Sequence, residues 1–96
     1  MFYVYILYSS VADKNYIGHT DDPERRLTEH NEISEDTYTS KYRPWELKAL
    51  FEIGEDRRLA IRVERHLKKQ KNRAYLENLI LTQAIDKIIK RLSSDG

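Results

Sequence analysis

Glu64 is a carboxylate among apolar neighbours. Read as a helix at about 100° per residue, the stretch from Asp56 to Lys71 sets Leu59, Ala60, Ile61, Val63 and Leu67 on one continuous arc, and Glu64 falls inside it. A bare charge cannot be buried there, so this carboxylate needs a partner or a place beside a cleft. Two readings satisfy the demand. An ion pair with Lys68, four residues on, would contribute about 0.3–0.5 kcal/mol, and both Lys68 and Lys71 edge into the arc. A divalent cation would serve as well, because magnesium keeps most of its waters and needs only one or two protein carboxylates.

Arg26 and His30 lie four apart, on one face of a short helix that follows Tyr16. A guanidinium grips two phosphate oxygens at once and stays charged, while an imidazole exchanges a proton near neutrality. Arg25 offers the same group on composition, and Glu24–Leu27 also reads as an ordinary exposed helix face. Upstream, Tyr3, Tyr5, Tyr8 and Tyr16 crowd the first twenty positions. Each phenol needs a hydrogen-bond partner when buried. As a base, a phenolate would cost roughly 4 kcal/mol at neutral pH unless cations lower its pKa. Gly18, beside them, permits close backbone approach.

The elements that must position these groups are legible. Phe2–Tyr8 is apolar on both alternating faces, which predicts a strand covered on both sides. Asn15–His19 returns as a second strand, completing a hairpin. Trp45, Leu47, Ala49, Phe51 and Ile53 alternate with Glu46, Lys48 and Glu52, predicting a third strand with one buried face. Asp22 and Pro23 start a short helix that runs to about His30. A second helix spans about Asp56 to Lys71. Asn72 caps a third, and Thr82–Leu92 sets Ile85, Ile88, Ile89 and Leu92 at helical spacing, either as a separate helix or as the bent end of the third. Asn31–Pro44 is a long polar connection of the kind that is often functional. The order is β-β-α-β-α-α, an α+β layout.

Taken in order, Tyr3-Val4-Tyr5, Tyr16-Ile17-Gly18, Arg26 eight positions later, His30 four further on and Glu64 on a later helix resemble the GIY-YIG nuclease family. The likeness covers about residues 2–80 and is nearest to small single-domain bacterial members that resemble the N-terminal catalytic part of excinuclease C. The first motif lacks the leading glycine, and His19 stands where excision-repair relatives carry a lysine. The resemblance implies a small three-stranded antiparallel sheet flanked by helices over a single domain, residues 1–96, with 82–96 as a C-terminal helical extension. It implies a magnesium-dependent endonuclease, with manganese able to substitute. By position, Tyr5 and Tyr16 would be the motif tyrosines, Arg26 would bind the scissile phosphate, His30 would assist proton transfer or positioning, and Glu64 would hold the metal. Arg26 and the ion are expected to depress the pKa of Tyr16.

Charge and composition bound the partners. The net charge of +1 hides an uneven chain: residues 1–56 carry 6 Lys/Arg against 12 Asp/Glu, and residues 57–96 carry 11 against 4. A basic stripe suits a polyanion, although a solvated helix face accounts for it equally. His19, Lys41, Arg43, Arg62, Arg65, Lys68, Lys69 and Lys71 are the expected contacts to a DNA backbone. Without cysteine, disulfides and zinc-thiolate sites are excluded. The chain shows no secretory leader and no apolar run of membrane length, which predicts a cytoplasmic protein. The expected function is cleavage of DNA directed by structure rather than sequence, in repair or recombination. The rivals are a catalytically silent nucleic-acid-binding or adaptor domain, and a protein-binding domain or homodimer that uses the C-terminal isoleucine face.

Overall fold

Phe2–Ser9 forms β1, and its two apolar faces decide the architecture: Val4 and Ile6 are buried on one side, Tyr5 and Leu7 on the other. The computed structural model describes residues 1–33, 41–70 and 72–94. In it β1 is the centre of a three-stranded antiparallel sheet of order β2-β1-β3, with β2 at Lys14–Thr20 and β3 at Trp45–Gly54. The helices are α1 (Pro23–Thr28), α2 (Arg57–Lys69), α3 (Arg73–Thr82) and α4 (Asp86–Ser94), and a π-helical turn, Glu29–Ile33, continues α1. The fold is α+β. No helix among the described residues is long and apolar enough to cross a membrane.

Helix starts follow side-chain chemistry. Asp22 accepts from the Arg25 N–H at 3.2 Å ahead of Pro23, Asp56 accepts from Arg58 at 2.9 Å, and Asn72 accepts from Ala74 and Tyr75 at 3.0 and 3.3 Å. Each satisfies donors that the first helical turn leaves unpaired. The open question about the tail resolves into two helices. Thr82 ends α3, Gln83 takes a left-handed conformation (φ 56°), and α4 begins at Asp86.

Two cores result. On the helix side, Val4, Ile6 and Ile17 of the sheet meet Ala60, Val63 and Leu67 of α2, with Leu79 and Ile85 closing the end. Burying side chains such as Val63 and Leu67 contributes about 1.5–3 kcal/mol each. Ile88, Ile89 and Leu92 of α4, each partly buried, pack against this cluster, so the C-terminal helix covers the domain here. On the opposite face Tyr5, Leu7 and Trp45 form a smaller core, joined by Tyr16, Leu27 and Tyr42.

β3 departs from its expected single buried face. Ile6 pairs with Ala49 and Leu7 with Leu47, which leaves Lys48 without a partner on β1. This one-residue bulge turns the strand over. Ala49 and Phe51 therefore face the helices while Trp45 enters the tyrosine core, and Leu47 is 40 % exposed.

Candidate active site

Tyr5 and Gly18 oppose each other on the β1–β2 ladder, where paired residues share a face. The Tyr5 ring lies directly over the glycine. A Cβ there would stand 2.5 Å from the Tyr5 Cζ and 3.1 Å from its Cε1. Gly18 is thus the gap through which a side chain of the central strand reaches the edge of the sheet. At that edge the Tyr5 hydroxyl meets His30 Nε2 at 2.9 Å and interacts electrostatically with the Arg26 guanidinium. Burial pushes the Tyr5 phenol up to about 12 against the lowering effect of Arg26, with the neighbouring Tyr16 and Glu64 adding to the rise. Tyr5 is a neutral hydrogen-bonding group at working pH.

His30 is 3 % exposed, and its surroundings fix it from both sides. The Arg43 Nε donates to its carbonyl at 2.9 Å. Next to it the Asn31 amide pairs with the start of β3, donating to the Trp45 carbonyl at 3.0 Å and accepting from the Trp45 N–H at 2.6 Å. The wider π turn places both residues; such turns recur at functional sites. The Tyr16 ring then packs edge-on to His30 at 5.0 Å, 5.9 Å from Trp45 and 6.4 Å from Tyr5, all between ring centroids.

Glu64 approaches the same edge from the other face of the sheet. His19 pairs with Val4, so it points towards α2, and its Nδ1–H donates to Glu64 Oε1 at 2.6 Å. Lys68 Nζ donates to Oε2 at 2.9 Å and lies 5.9 Å from the Tyr16 ring centroid. The Glu64 side chain is only 15 % exposed. Burial alone would raise its pKa, but the hydrogen bonds from Lys68 and His19 outweigh burial and the carboxyl titrates below its ordinary range. It is a partly shielded carboxylate with an ammonium already at its outer oxygen. Among the described residues no cluster of three His, Cys, Asp or Glu could hold a metal ion. This donor set is too small for zinc, which takes three or four protein ligands. It fits magnesium or manganese, which accept one carboxylate and complete their shell with water.

Arg26 and His19 also line an open cleft of about 340 Å³ with Arg25 and Arg57. Arg57 makes no ion pair among the described residues. Its charge heads the basic run in the sequence, but charge counting cannot say which member of that run faces the site. On the other flank Lys14 and Lys41 lie 4.6 and 5.4 Å from the Tyr42 ring centroid, and Lys14 ahead of Lys41 holds the Tyr42 phenol below its usual range.

The structure therefore gathers Tyr5, Tyr16, Arg26, His30, Glu64, His19 and Lys68 at the β2 edge and disperses the rest of the expected basic contacts. Arg62 lies about 200° round α2 from Glu64 and lines a cleft with Asp56, Arg58 and Ser93. Lys69 neighbours His66, and Arg65 is exposed beside it. Arg43 anchors the His30 backbone. Arg26 interacts with Tyr5 first and with Tyr16 as well, and Lys68 is a second cation beside the Tyr16 ring. Lys71 and residues 34–40 of the long connection lie outside the described residues.

A comparison with curated proteins finds no match. A comparison with family models matches residues 1–78 of the 96 to the GIY-YIG catalytic domain, a nuclease-type domain, and this span holds both tyrosine motifs, Arg26, His30 and Glu64. With its antiparallel sheet of order β2-β1-β3 and its helices on both sides, the chain belongs to the GIY-YIG family.

Proposed function

We propose that this chain is a divalent-metal-dependent endonuclease that hydrolyses DNA phosphodiesters, acting in the cytoplasm in repair or recombination and guided by DNA structure rather than sequence. The observation that carries the proposal is the convergence of two phenols, a guanidinium, a buried imidazole and an ionised, shielded carboxylate on one sheet edge. Arg26, beside the arginine-lined cleft, holds the scissile phosphate and offsets charge that builds on its oxygens during attack. Tyr16, less buried than Tyr5 and facing the Lys68 ammonium, takes the proton of the attacking water as its phenolate, which the nearby cations favour, and returns to the phenol. Tyr5 stays neutral, held by its bond to His30, and its hydroxyl acts on the nearby Arg26 guanidinium. Glu64 would hold the magnesium or manganese ion, which would supply Lewis-acid stabilisation of the leaving oxygen. His19 fixes the carboxylate from Oε1, and Oε2, now bonded by Lys68, would be the oxygen offered to the cation.

Cleavage of labelled branched and single-stranded DNA with magnesium, manganese or chelator tests the reading. Cleavage that requires the ion, and that Glu64→Gln abolishes while binding persists, supports it; intact DNA under both ions overturns it. A second reading, a DNA-binding domain without activity, is favoured by one observation: both Glu64 oxygens are already engaged by His19 and Lys68. It predicts binding without cleavage in the same assay.

A further inference from the structure

A second cleft, of about 490 Å³, opens between β2 and the α2–α3 corner and shares Tyr16 and Lys68 with the site above. Its volume falls within the roughly 300–1,000 Å³ of small-ligand pockets. Ile17, Leu67 and Leu76 make its floor, and Asn15 and Asn72 stand at its rim. Its cations are already committed. Arg73 Nη1 donates to Asp13 Oδ2 at 2.9 Å and its Nε lies 3.4 Å from Glu77, while Lys68 is on Glu64. The Asn15 amide is different: it makes no side-chain hydrogen bond among the described residues.

The clefts on the two sides of the site thus differ in chemistry. The arginine-lined one offers cations to a phosphate. This one offers apolar walls, an aromatic ring and an amide with a donor and an acceptor, which are the groups that stack on and hydrogen-bond an unstacked base. We propose that the cleft between β2 and the α2–α3 corner receives the nucleobase of the nucleotide next to the scissile phosphate, with Asn15 reading its edge. The proposal deepens the nuclease reading and rests on it for the position of the phosphate. It makes the enzyme prefer a substrate whose base is free to leave the stack, such as one in a single strand, at a branch or at a mismatch.

Two measurements test it. Methyl and amide NMR on the unaltered chain, titrated with deoxynucleoside monophosphates and in parallel with deoxyribose 5-phosphate, should move Leu67, Leu76 and the Asn15 side-chain amide only when a base is present. Then single-stranded DNA carrying one abasic position beside the cleaved phosphate should be cut about tenfold more slowly than intact DNA. Leu76→Trp, filling the cleft, should bring intact DNA down to that rate without slowing the abasic strand further; Asn15→Ala, which leaves the floor untouched, should change the preference among bases. Base-dependent shifts in a protein that cuts no DNA would keep the pocket and overturn the nuclease reading. Metal-dependent cleavage with equal rates on intact and abasic strands, and no base-dependent shift, would overturn the pocket and keep the nuclease. Should Leu76→Trp fail to fold, the titration and the abasic comparison on the unaltered chain decide alone.

Discussion

Two clusters at opposite ends of β2 are built from almost the same parts. Near Thr20, Glu64 sits with His19, Lys68 and the Tyr16 ring; near Lys14, Asp13 sits with Arg73, Glu77 and the Tyr8 hydroxyl, which donates to Asp13 at 2.6 Å. The difference is water. The Glu64 side chain is 15 % exposed and the Asp13 side chain 61 %. Shielded charges act strongly on one another and on a ligand, whereas exposed ones are screened and contribute little. The open cluster has a two-point ion pair, Arg73 donating to both Asp13 oxygens, and is a brace between the β1–β2 turn and α3. The shielded one can change the chemistry of what binds it. Ion-pair geometry alone would have chosen the wrong end.

Substitutions at both ends sharpen that contrast. Glu64→Gln keeps the shape and removes the charge; we expect cleavage to fall about 1,000-fold, the equivalent of several kcal/mol of metal-ion stabilisation, with DNA binding unchanged in a gel-shift assay. Tyr16→Phe should lower the single-turnover rate about 100-fold and flatten its rise from neutral to alkaline pH, since a phenol acting as base gains activity as it deprotonates. Gly18→Ala tests positioning without touching any reacting group. Its methyl would collide with the Tyr5 ring, so cleavage should drop about 100-fold through misplacement, with a stability loss of about 1–3 kcal/mol in urea titration. The smallest effect belongs to the brace. Arg73→Ala should slow cleavage less than any of these, and its signature is a stability difference that is present at neutral pH and disappears in acid. Arg73 and the Tyr8 hydroxyl hold the Asp13 carboxyl down at about 2 from an ordinary 3.8. Whatever stability the brace gives is therefore present above about 3.8 and lost as pH falls towards about 2. Melting curves of the Arg73→Ala protein should converge with those of the unaltered chain over that window. A loss of cleavage in Arg73→Ala at neutral pH as large as that in Glu64→Gln would erase the distinction between the two clusters.

Much of the site is written in local patterns. The helix starts at Asp22, Asp56 and Asn72 follow from capping chemistry, and the intrusion of Glu64 into an apolar arc marks it before any fold is known. What local patterns miss is cross-strand geometry. Residues 45–53 alternate without a break, so nothing in them signals that Lys48 is a bulge that sends Trp45 and Phe51 to opposite faces. Arg26 sits eight positions beyond Gly18, a spacing that cannot say which phenol it meets first. That depends on the Tyr5 ring crossing the glycine to reach it. The basic run fails for another reason. Counting charges ignores their azimuth on α2, so Arg62 and Lys69 look equivalent to Lys68 although only Lys68 reaches Glu64.

The last helix sets a practical boundary. Likeness to the family stops at residue 78, yet Ile85 is 5 % exposed and α4 packs on the helix that carries Glu64. A protein trimmed to the shared segment would bare the sticky flank of α2 to solvent and free that helix to roll, carrying its carboxylate off target. Ancestry and integrity mark different end points on this polypeptide, and anyone expressing or grafting the domain should cut by the second.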